Sequence, residues 1–192
     1  MKILGIIPSR YDSTRFPGKP LVDIQGKTMI QRVYERASES EQLNRVVVAT
    51  DDSRIYDHVK AFGGEAVMTS SAHQSGTDRC VEAYQILNEK YDAVINIQGD
   101  EPVIKPCQLN LLAFCFNDDD CEIATLAVKI KTTDILFDSS KIKLVLDSYN
   151  NVIYFSRHPI PYQQKPAETW LENHDYLKHV GIYGFRSDIL LE

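Results

Sequence analysis

Continuous apolar runs, rather than alternating ones, constrain most strongly how this chain can fold. ILGII at residues 3–7, RVVVAT at 45–50 and DAVINI at 92–97 each have the length of one strand. A strand that is apolar at successive positions has both faces covered, as in a parallel sheet between helices. These runs alternate with segments of helical periodicity, so the first ~110 residues predict a doubly wound α/β unit.

The helical segments carry their own boundary signals. Thr28 stands three residues before Gln31, and Ser75 stands three residues before Asp78, which is the spacing of a capping box. A Gly-Gly pair at 63–64 ends the helix between the second and third strands. These signals predict helices that alternate with the strands, as a doubly wound sheet requires.

The second half of the chain has a different pattern. The segments 122–130, 142–148, 151–156 and 177–185 are strand-like, and short turns separate some of them. They predict a mixed or antiparallel, strand-rich region after the α/β unit. A new helical face begins near Ser187 and the sequence ends within its first turns, so we expect it to be the front part of a longer protein.

Composition excludes several classes of protein. A chain of 192 residues with 43% hydrophobic and 25% charged residues suits a globular domain with its own core. The net charge of −6 argues against a general nucleic-acid binder, and no apolar stretch reaches the roughly 18 residues of a membrane span. Cys80, Cys107, Cys115 and Cys121 lack CxxC spacing, so we expect reduced thiols in a cytoplasmic protein.

The loop after the first strand concentrates positive charge. In PSRYDSTRFPGKP, residues 8–20, Arg10, Arg15 and Lys19 stand among three prolines that restrict the backbone. Ligands of open parallel sheets bind beyond the carboxyl ends of the strands, and three cations suit a polyphosphate. A solvated surface loop is the alternative, because charge runs are common on surfaces.

Two further loops lie at the same predicted edge of the sheet. Asp100 in GDEP follows a buried run and is placed to hold Mg²⁺ against phosphate, with Glu101 as a rival ligand. SGTDR at 75–79 begins a helix, and the backbone N–H groups there can meet a polar ligand. A turn and an ordinary helix cap are the alternatives for these two loops. Asp51 or Asp52 is more simply interpreted as a cap of the second helix.

The strand-rich half also contains candidate anion contacts. Arg157 and His158 in YFSRHPIP, and His179 in KHVGIYGFR, place cations or imidazoles beside apolar strands. They are candidates for reading an anionic substrate, although a lone histidine is more often structural. No Ser-His-Asp or Cys-His arrangement can be read from the sequence.

Taken together, five segments resemble one family. IIPSRYDSTRFPGKPL, SGTDR, NIQGDEP, IYFSRHPIP and HVGIYGFR occur in this order in the 3-deoxy-manno-octulosonate cytidylyltransferases, and the resemblance covers essentially the whole chain. It implies a GT-A-like, Rossmann-like α/β nucleotidyltransferase fold with a strand-rich dimerisation region. It also implies a cytoplasmic, Mg²⁺-dependent homodimer that makes CMP-KDO and pyrophosphate from CTP and 3-deoxy-manno-octulosonate (KDO), for lipopolysaccharide synthesis.

The resemblance also implies roles for individual residues. Arg10, Lys19 and Asp100 correspond to the catalytic set, in which Asp100 is the metal ligand. Residues about 1–110 form the nucleotide-binding half of a single domain, and about 111–192 form the sugar-binding and dimerisation half. The implied nucleotide contacts are Pro8, Ser9, Arg10, Arg15, Lys19, Ser75, Gly76, Thr77, Asp78 and Arg79, and the implied sugar contacts are Gln98, Arg157, His179 and Tyr183.

One departure and three rivals accompany this interpretation. The family continues past position 192 with a helix and a later aspartate that completes the metal site, so we expect the chain as given to turn over little. A cytidylyltransferase for another acid sugar, of the sialic-acid type, is the nearest rival. A metal-dependent glycosyltransferase would need an Asp-x-Asp motif, which GDEP only partly supplies. A nucleotide-binding module without turnover is the third.

Overall fold

The apolar runs form strands that pair in parallel. The structure is a computed structural model that describes residues 1–12 and 16–192. The first six strands are β1 (Ile3–Ser9), β2 (Asp23–Ile24), β3 (Lys27–Thr28), β4 (Arg45–Thr50), β5 (Ala66–Met68) and β6 (Ala93–Asn96). β1 lies between β4 and β6 and is parallel to both, and β5 is parallel to β4 on its far side. The predicted mostly parallel α/β sheet is confirmed.

Both faces of this sheet are covered, as the continuous runs predicted. In β1, Ile3, Leu4, Ile6 and Ile7 are at most 2% exposed. The covering helices are α1 (Met29–Ser38), α2 (Ser53–Ala61), α3 (Gly76–Leu87) and α4 (Pro106–Phe114). Helices on both sides therefore account for the absence of polar alternation in the strands.

Local capping signals place the helix starts correctly. The side-chain oxygen of Thr28 accepts from the backbone N–H of Gln31 at the start of α1. At the start of α3, Ser75 and Asp78 form the full capping box, each side chain accepting from the other residue's backbone N–H. Asp52 caps α2, whereas the neighbouring Asp51 binds elsewhere. These starts matter because α3 and the loop before it border the candidate site.

The chain divides into two compact units. The first comprises Met1–Ala124 and Ile182–Glu192, and the second comprises Thr125–Gly181. The assignment of about 1–110 to nucleotide binding and about 111–192 to sugar binding and dimerisation stays a prediction. Strand β10 (Leu177–Arg186) belongs to both units, and in the first unit its C-terminal half is antiparallel to β6.

The second unit is antiparallel, as the change of pattern predicted. Its elements are β7 (Ile123–Lys129, which begins in the first unit), α5 (Thr133–Phe137), β8 (Lys143–Leu146), β9 (Val152–Ser156) and α6 (Trp170–Asn173). β8 is antiparallel to β9 and to the first half of β10. A small core of Ile130, Leu136, Trp170 and Tyr176 packs beside these strands.

The last element returns to the first unit. Helix α7 (Ser187–Leu191) begins directly after β10, and Leu190 packs into the core that contains Leu4 and Val94. Within the residues that the structure describes, no helix is both long and apolar enough to cross a membrane.

Candidate active site

The carboxyl ends of the parallel strands surround a cavity of about 510 Å³ in the first unit. We call it the main cavity. The loop after β1 and the loop after β6 both contribute to it, as the rule for open parallel sheets predicted. Its lining includes Pro8, Ser9, Arg10, Lys19, Gln98 and Asp100. The loops singled out at 8–20 and 98–106 therefore meet at one place.

Two opposite charges pair at the wall of the main cavity. The ammonium nitrogen of Lys19 lies 2.6 Å from an Asp100 carboxylate oxygen, and the two side chains are 36% and 52% exposed. Lys19 begins a short 3₁₀ turn, Lys19–Leu21, whose second residue, Pro20, is buried. Because the turn is held by its backbone and by the buried proline, the lysine projects from a stiff segment.

Glycine lets the two loops approach each other closely. A Cβ atom added at Gly99 would lie 3.1 Å from the carbonyl oxygen of Pro8, and one added at Gly76 would lie 3.2 Å from the Pro8 ring. Both distances are tighter than ordinary carbon contacts. The end of β1 thus packs against two glycines, which brings Pro8 next to the start of α3 and to the loop that carries Asp100.

Ser9 supplies an unsatisfied polar atom at the bottom of this region. It is 5% exposed and lines the main cavity, and its hydroxyl oxygen has no hydrogen-bond partner among residues 1–12 and 16–192. Buried polar groups without partners are rare and cost free energy, unless a ligand or water completes them. Ser9 is therefore suited to meet a polar ligand, and its predicted contact with nucleotide stays a prediction.

Two smaller cavities adjoin the loop that leads into α3. One of about 160 Å³ is lined by Arg10, Ser75, Gly76 and Gln98, among others. The other, of about 200 Å³, lies between Arg10 and residues 51–52. Arg10 lines all three cavities. The side chains of Ser75 and Asp78 are engaged in the cap, while Thr77 lies within 3.4 Å of the Asn96 amide.

Arg79 is held by protein groups on two other loops. It is 4% exposed, and its guanidinium lies 2.9 Å from Asp51 and also donates to the Thr69 hydroxyl. It therefore connects α3 to the ends of β4 and β5. Arg79 also lines both smaller cavities, so its predicted contact with nucleotide stays a prediction beside this structural role.

Replacing Arg79 with methionine is expected to lower the free energy of unfolding by about 3 kcal/mol, because Asp51 is left partly buried without its cation. Urea denaturation measures this change. The matched control is Arg36→Met, since Arg36 pairs with Glu39 where both side chains are more than half exposed. The control is expected to cost at most about 1 kcal/mol. Equal losses in the two variants would contradict an anchoring role for Arg79.

His73 is a candidate site residue that the sequence did not reveal. It lines both smaller cavities, and its Nε2 atom lies 2.5 Å from a carboxylate oxygen of Glu82. The same carboxylate accepts from the backbone N–H of Ser70, and these bonds hold the pKa of Glu82 below its usual value. Its position two residues before Ser75, in the loop that leads from β5 to α3, was the signal that could have found it.

The predicted sugar contacts fall in both units. In the first unit, Gln98 lines the main cavity. Tyr183, on β10, pairs in register with Asn96 at the end of β6. Burial raises the pKa of Tyr183. In the second unit, the side chain of Arg157 donates to the carbonyl of Ser139. The structure thus brings Gln98 next to Arg10, Lys19 and Asp100.

His179 lies in the second unit among apolar and hydroxyl groups. Its Nε2 atom lies 2.9 Å from the hydroxyl of Thr125, and its ring packs edge-on against Phe155. Burial lowers the pKa of His179, so it is neutral at neutral pH. As a neutral imidazole, His179 can exchange hydrogen bonds with a substrate but offers it no positive charge. Arg15, the remaining predicted contact, lies outside the described residues.

The donor set at the main cavity fits Mg²⁺ bound together with phosphate. Within residues 1–12 and 16–192, the wall of the cavity includes Asp100 but not Glu101, and no cluster of three metal-ligating side chains occurs. Mg²⁺ usually takes one or two carboxylates and completes its shell with water and substrate phosphates. One exposed carboxylate beside two cations suits that arrangement and does not suit a cage made by protein alone.

This sheet, with cations and a carboxylate at its carboxyl edge, indicates a nucleotide-transferring enzyme, and residues 4–192 match the family described as Cytidylyltransferase. A relative from Parabacteroides distasonis, named 3-deoxy-manno-octulosonate cytidylyltransferase, is 52% identical over 100% of this chain and 78% of its own. One of the same name from Cytophaga hutchinsonii is 49% identical over 100% of this chain and 77% of its own. The chain belongs to the cytidylyltransferase family and, within it, to the 3-deoxy-manno-octulosonate cytidylyltransferases.

A solved structure supports the same grouping. It is a CMP:2-keto-3-deoxy-manno-octonic acid synthetase complexed with CTP, with a TM-score of 0.89 and 45% identity, covering 99% of this chain and 76% of that one. A cytidylyltransferase from Leptospira borgpetersenii, at 21% identity and a TM-score of 0.60, shares the fold. The protein is therefore a nucleotidyltransferase, as the motifs predicted.

Proposed function

We propose that the protein transfers CMP from CTP to KDO, releasing pyrophosphate and forming the CMP-KDO used in lipopolysaccharide synthesis. The observation that carries the proposal is the main cavity, in which Arg10, Lys19 and Asp100 face one space at the carboxyl edge of the sheet. The resemblance to enzymes named for this reaction supports the choice of CTP and KDO.

The charges of the main cavity suit a transfer at phosphorus. The anomeric hydroxyl of KDO bonds to the α-phosphorus of CTP and releases its proton to solvent water, while the bond from that phosphorus to the bridging oxygen breaks and pyrophosphate leaves. Arg10 and Lys19 hold the triphosphate and neutralise the charge that grows on the leaving group. Pro8 and Pro20 restrict the backbone near Arg10 and Lys19, which favours a preorganised arrangement of the two cations.

Asp100 is the residue that would hold Mg²⁺ with the phosphates. The bound ion would supply further charge neutralisation at the triphosphate. Lys19 pairs with Asp100, which keeps the carboxylate at the cavity wall. Ser9 and the start of α3 meet the nucleoside part, since both present polar groups to the adjoining cavities.

Contacts to the acid sugar come from Gln98, Arg157, His179 and Tyr183 in this proposal. Arg157 is a fork-shaped donor suited to the KDO carboxylate. A neutral His179 serves as a hydrogen-bond partner for sugar hydroxyls rather than as a cation.

Assembly and location complete the proposal. In β9, the side chains from Val152 to Phe155 are 37–65% exposed, which is an unusual apolar exposure that supports a homodimer contact in the second unit. The four cysteines are free thiols, as in a reducing compartment such as the cytoplasm.

A pyrophosphate-release assay with Mg²⁺ tests the function. It crosses CTP, UTP and ATP with KDO, sialic acid and a sugar 1-phosphate, on this chain and on a chain extended to the length of its relatives. We expect release with CTP and KDO, stronger in the extended chain. Release with sialic acid in place of KDO would support a cytidylyltransferase of the sialic-acid type. CTP binding without pyrophosphate release in both chains would support a nucleotide-binding module without turnover.

A further inference from the structure

Lys143 is a buried lysine whose hydrogen bonds all go to backbone carbonyls of the second unit. It lies on β8 and has no exposed surface. Its ammonium nitrogen donates to the carbonyl oxygens of Asp138 at 2.7 Å, Lys141 at 2.9 Å and Arg157 at 2.9 Å. An ammonium group has three N–H donors, so these three acceptors satisfy it completely.

The three acceptors connect two segments that are separate in the sequence. Asp138 and Lys141 belong to the turn between α5 and β8, and Arg157 directly follows β9. The side chain of Arg157 in turn donates to the carbonyl of Ser139 in that turn, at 3.1 Å. Lys143 therefore holds the backbone of Arg157 and also the turn that receives its guanidinium.

Core stability alone does not explain a lysine here. Burial disfavours the charge and lowers the pKa of Lys143, although the nearby Asp138 carboxylate opposes this effect. An apolar side chain of similar volume usually packs as well at lower cost in desolvation. What an apolar residue would lack is the directed connection between the turn at 138–141 and Arg157.

We propose that Lys143 is a positioning residue for the acid sugar, because it sets the backbone and the side-chain direction of Arg157. The proposal rests on the proposed function, in which Arg157 contacts KDO. We expect no such role toward CTP, since the hydrogen bonds of the Lys143 ammonium group go to the turn and to Arg157.

Steady-state kinetics of Lys143→Met test this role, in the extended chain if that is the more active form. We expect the KM for KDO to rise on the order of tenfold, because a misplaced binding group loses much of its contribution. The KM for CTP should stay as in the wild type. Equal increases in both values would overturn the proposal, since they would indicate general damage.

Leu144→Ala is the matched structural control. Leu144 is the next residue of β8, 3% exposed, and it points to the opposite face of the strand. The Leu144→Ala variant loosens the same strand without removing the ammonium group of Lys143, so its KM for KDO should stay unchanged. A rise as large as that of Lys143→Met would show that Lys143 acts only through stability.

A double-mutant cycle asks whether Lys143 acts through Arg157. In an Arg157→Ala background, Lys143→Met should raise the KM for KDO little further, because the group that it positions is gone. Two independent effects that multiply would contradict the proposal.

Hydrogen exchange separates this inference from the proposed function. We expect Lys143→Met to speed the exchange of the backbone amides at 138–141 and 157–158. In Leu144→Ala, exchange should speed up in β8 more than in these two segments. This readout needs no turnover. If the enzyme were inactive with KDO, the proposed function would be refuted, and the exchange result would still decide whether Lys143 positions Arg157. Unchanged exchange at both segments would overturn the role of Lys143.

Discussion

Arg10→Ala is expected to lower the rate of pyrophosphate release from CTP by about 100- to 1,000-fold. Arg10 lines the main cavity and both smaller ones, so the change removes a cation from the centre of the proposed nucleotide site. The loss should fall mostly on kcat, because charge on the leaving pyrophosphate is greatest in the transition state. Single-turnover kinetics with saturating CTP measure it directly.

Arg36→Ala is the control for charge alone. Its guanidinium pairs with Glu39 on the exposed side of α1, so this variant changes the net charge equally without touching a cavity. It should keep the wild-type rate, and both variants should keep the wild-type circular dichroism. Near-normal turnover in Arg10→Ala would refute the assignment of the main cavity to the triphosphate.

Asp100→Asn is expected to reduce turnover by about 1,000-fold and to raise the Mg²⁺ concentration needed for half-maximal rate. The amide keeps the size of the side chain but loses the charge that would hold the ion. The change also removes the ion pair with Lys19, so CTP without Mg²⁺ should bind at least as tightly as to the wild type. Equilibrium dialysis of CTP with and without Mg²⁺ separates these effects.

Glu101→Gln is the neighbouring control for Asp100. Asp100 lines the main cavity, whereas Glu101, one residue later, is exposed and outside its wall. The control variant should therefore keep both the rate and the dependence on Mg²⁺. If Glu101→Gln lost activity and Asp100→Asn kept it, the metal ligand would be Glu101, and the proposed arrangement of the cavity would be wrong.

Short-range patterns predicted the elements well because their causes are local. The cap of Thr28 and the capping box of Ser75 each depend on residues three apart. The continuous run at 3–7 predicted a strand covered on both faces, and its residues are buried accordingly. From there, one topological rule was enough to expect the loops at 8–20 and 98–106 to meet.

Long-range contacts were beyond the same reasoning. Arg79 was predicted as a nucleotide contact, and nothing in SGTDR indicates that its guanidinium binds Asp51, 28 residues away. His73 has no distinctive spacing, and its partner Glu82 faces it only because α3 packs beside the loop. Lys143 interrupts an apolar run, where a charged residue is normally expected to point to solvent.

The sequence by itself therefore determined the alternation of strands and helices in the first unit, the edge of the sheet where the candidate site lies, and the family to which the five motifs point. Tertiary structure alone decided which polar groups meet: Lys19 with Asp100, Arg79 with Asp51, and Lys143 with the carbonyl of Arg157. The physical reason is that propensity and burial act on neighbours in the chain. Hydrogen bonds and ion pairs instead join groups that only packing brings within about 3 Å.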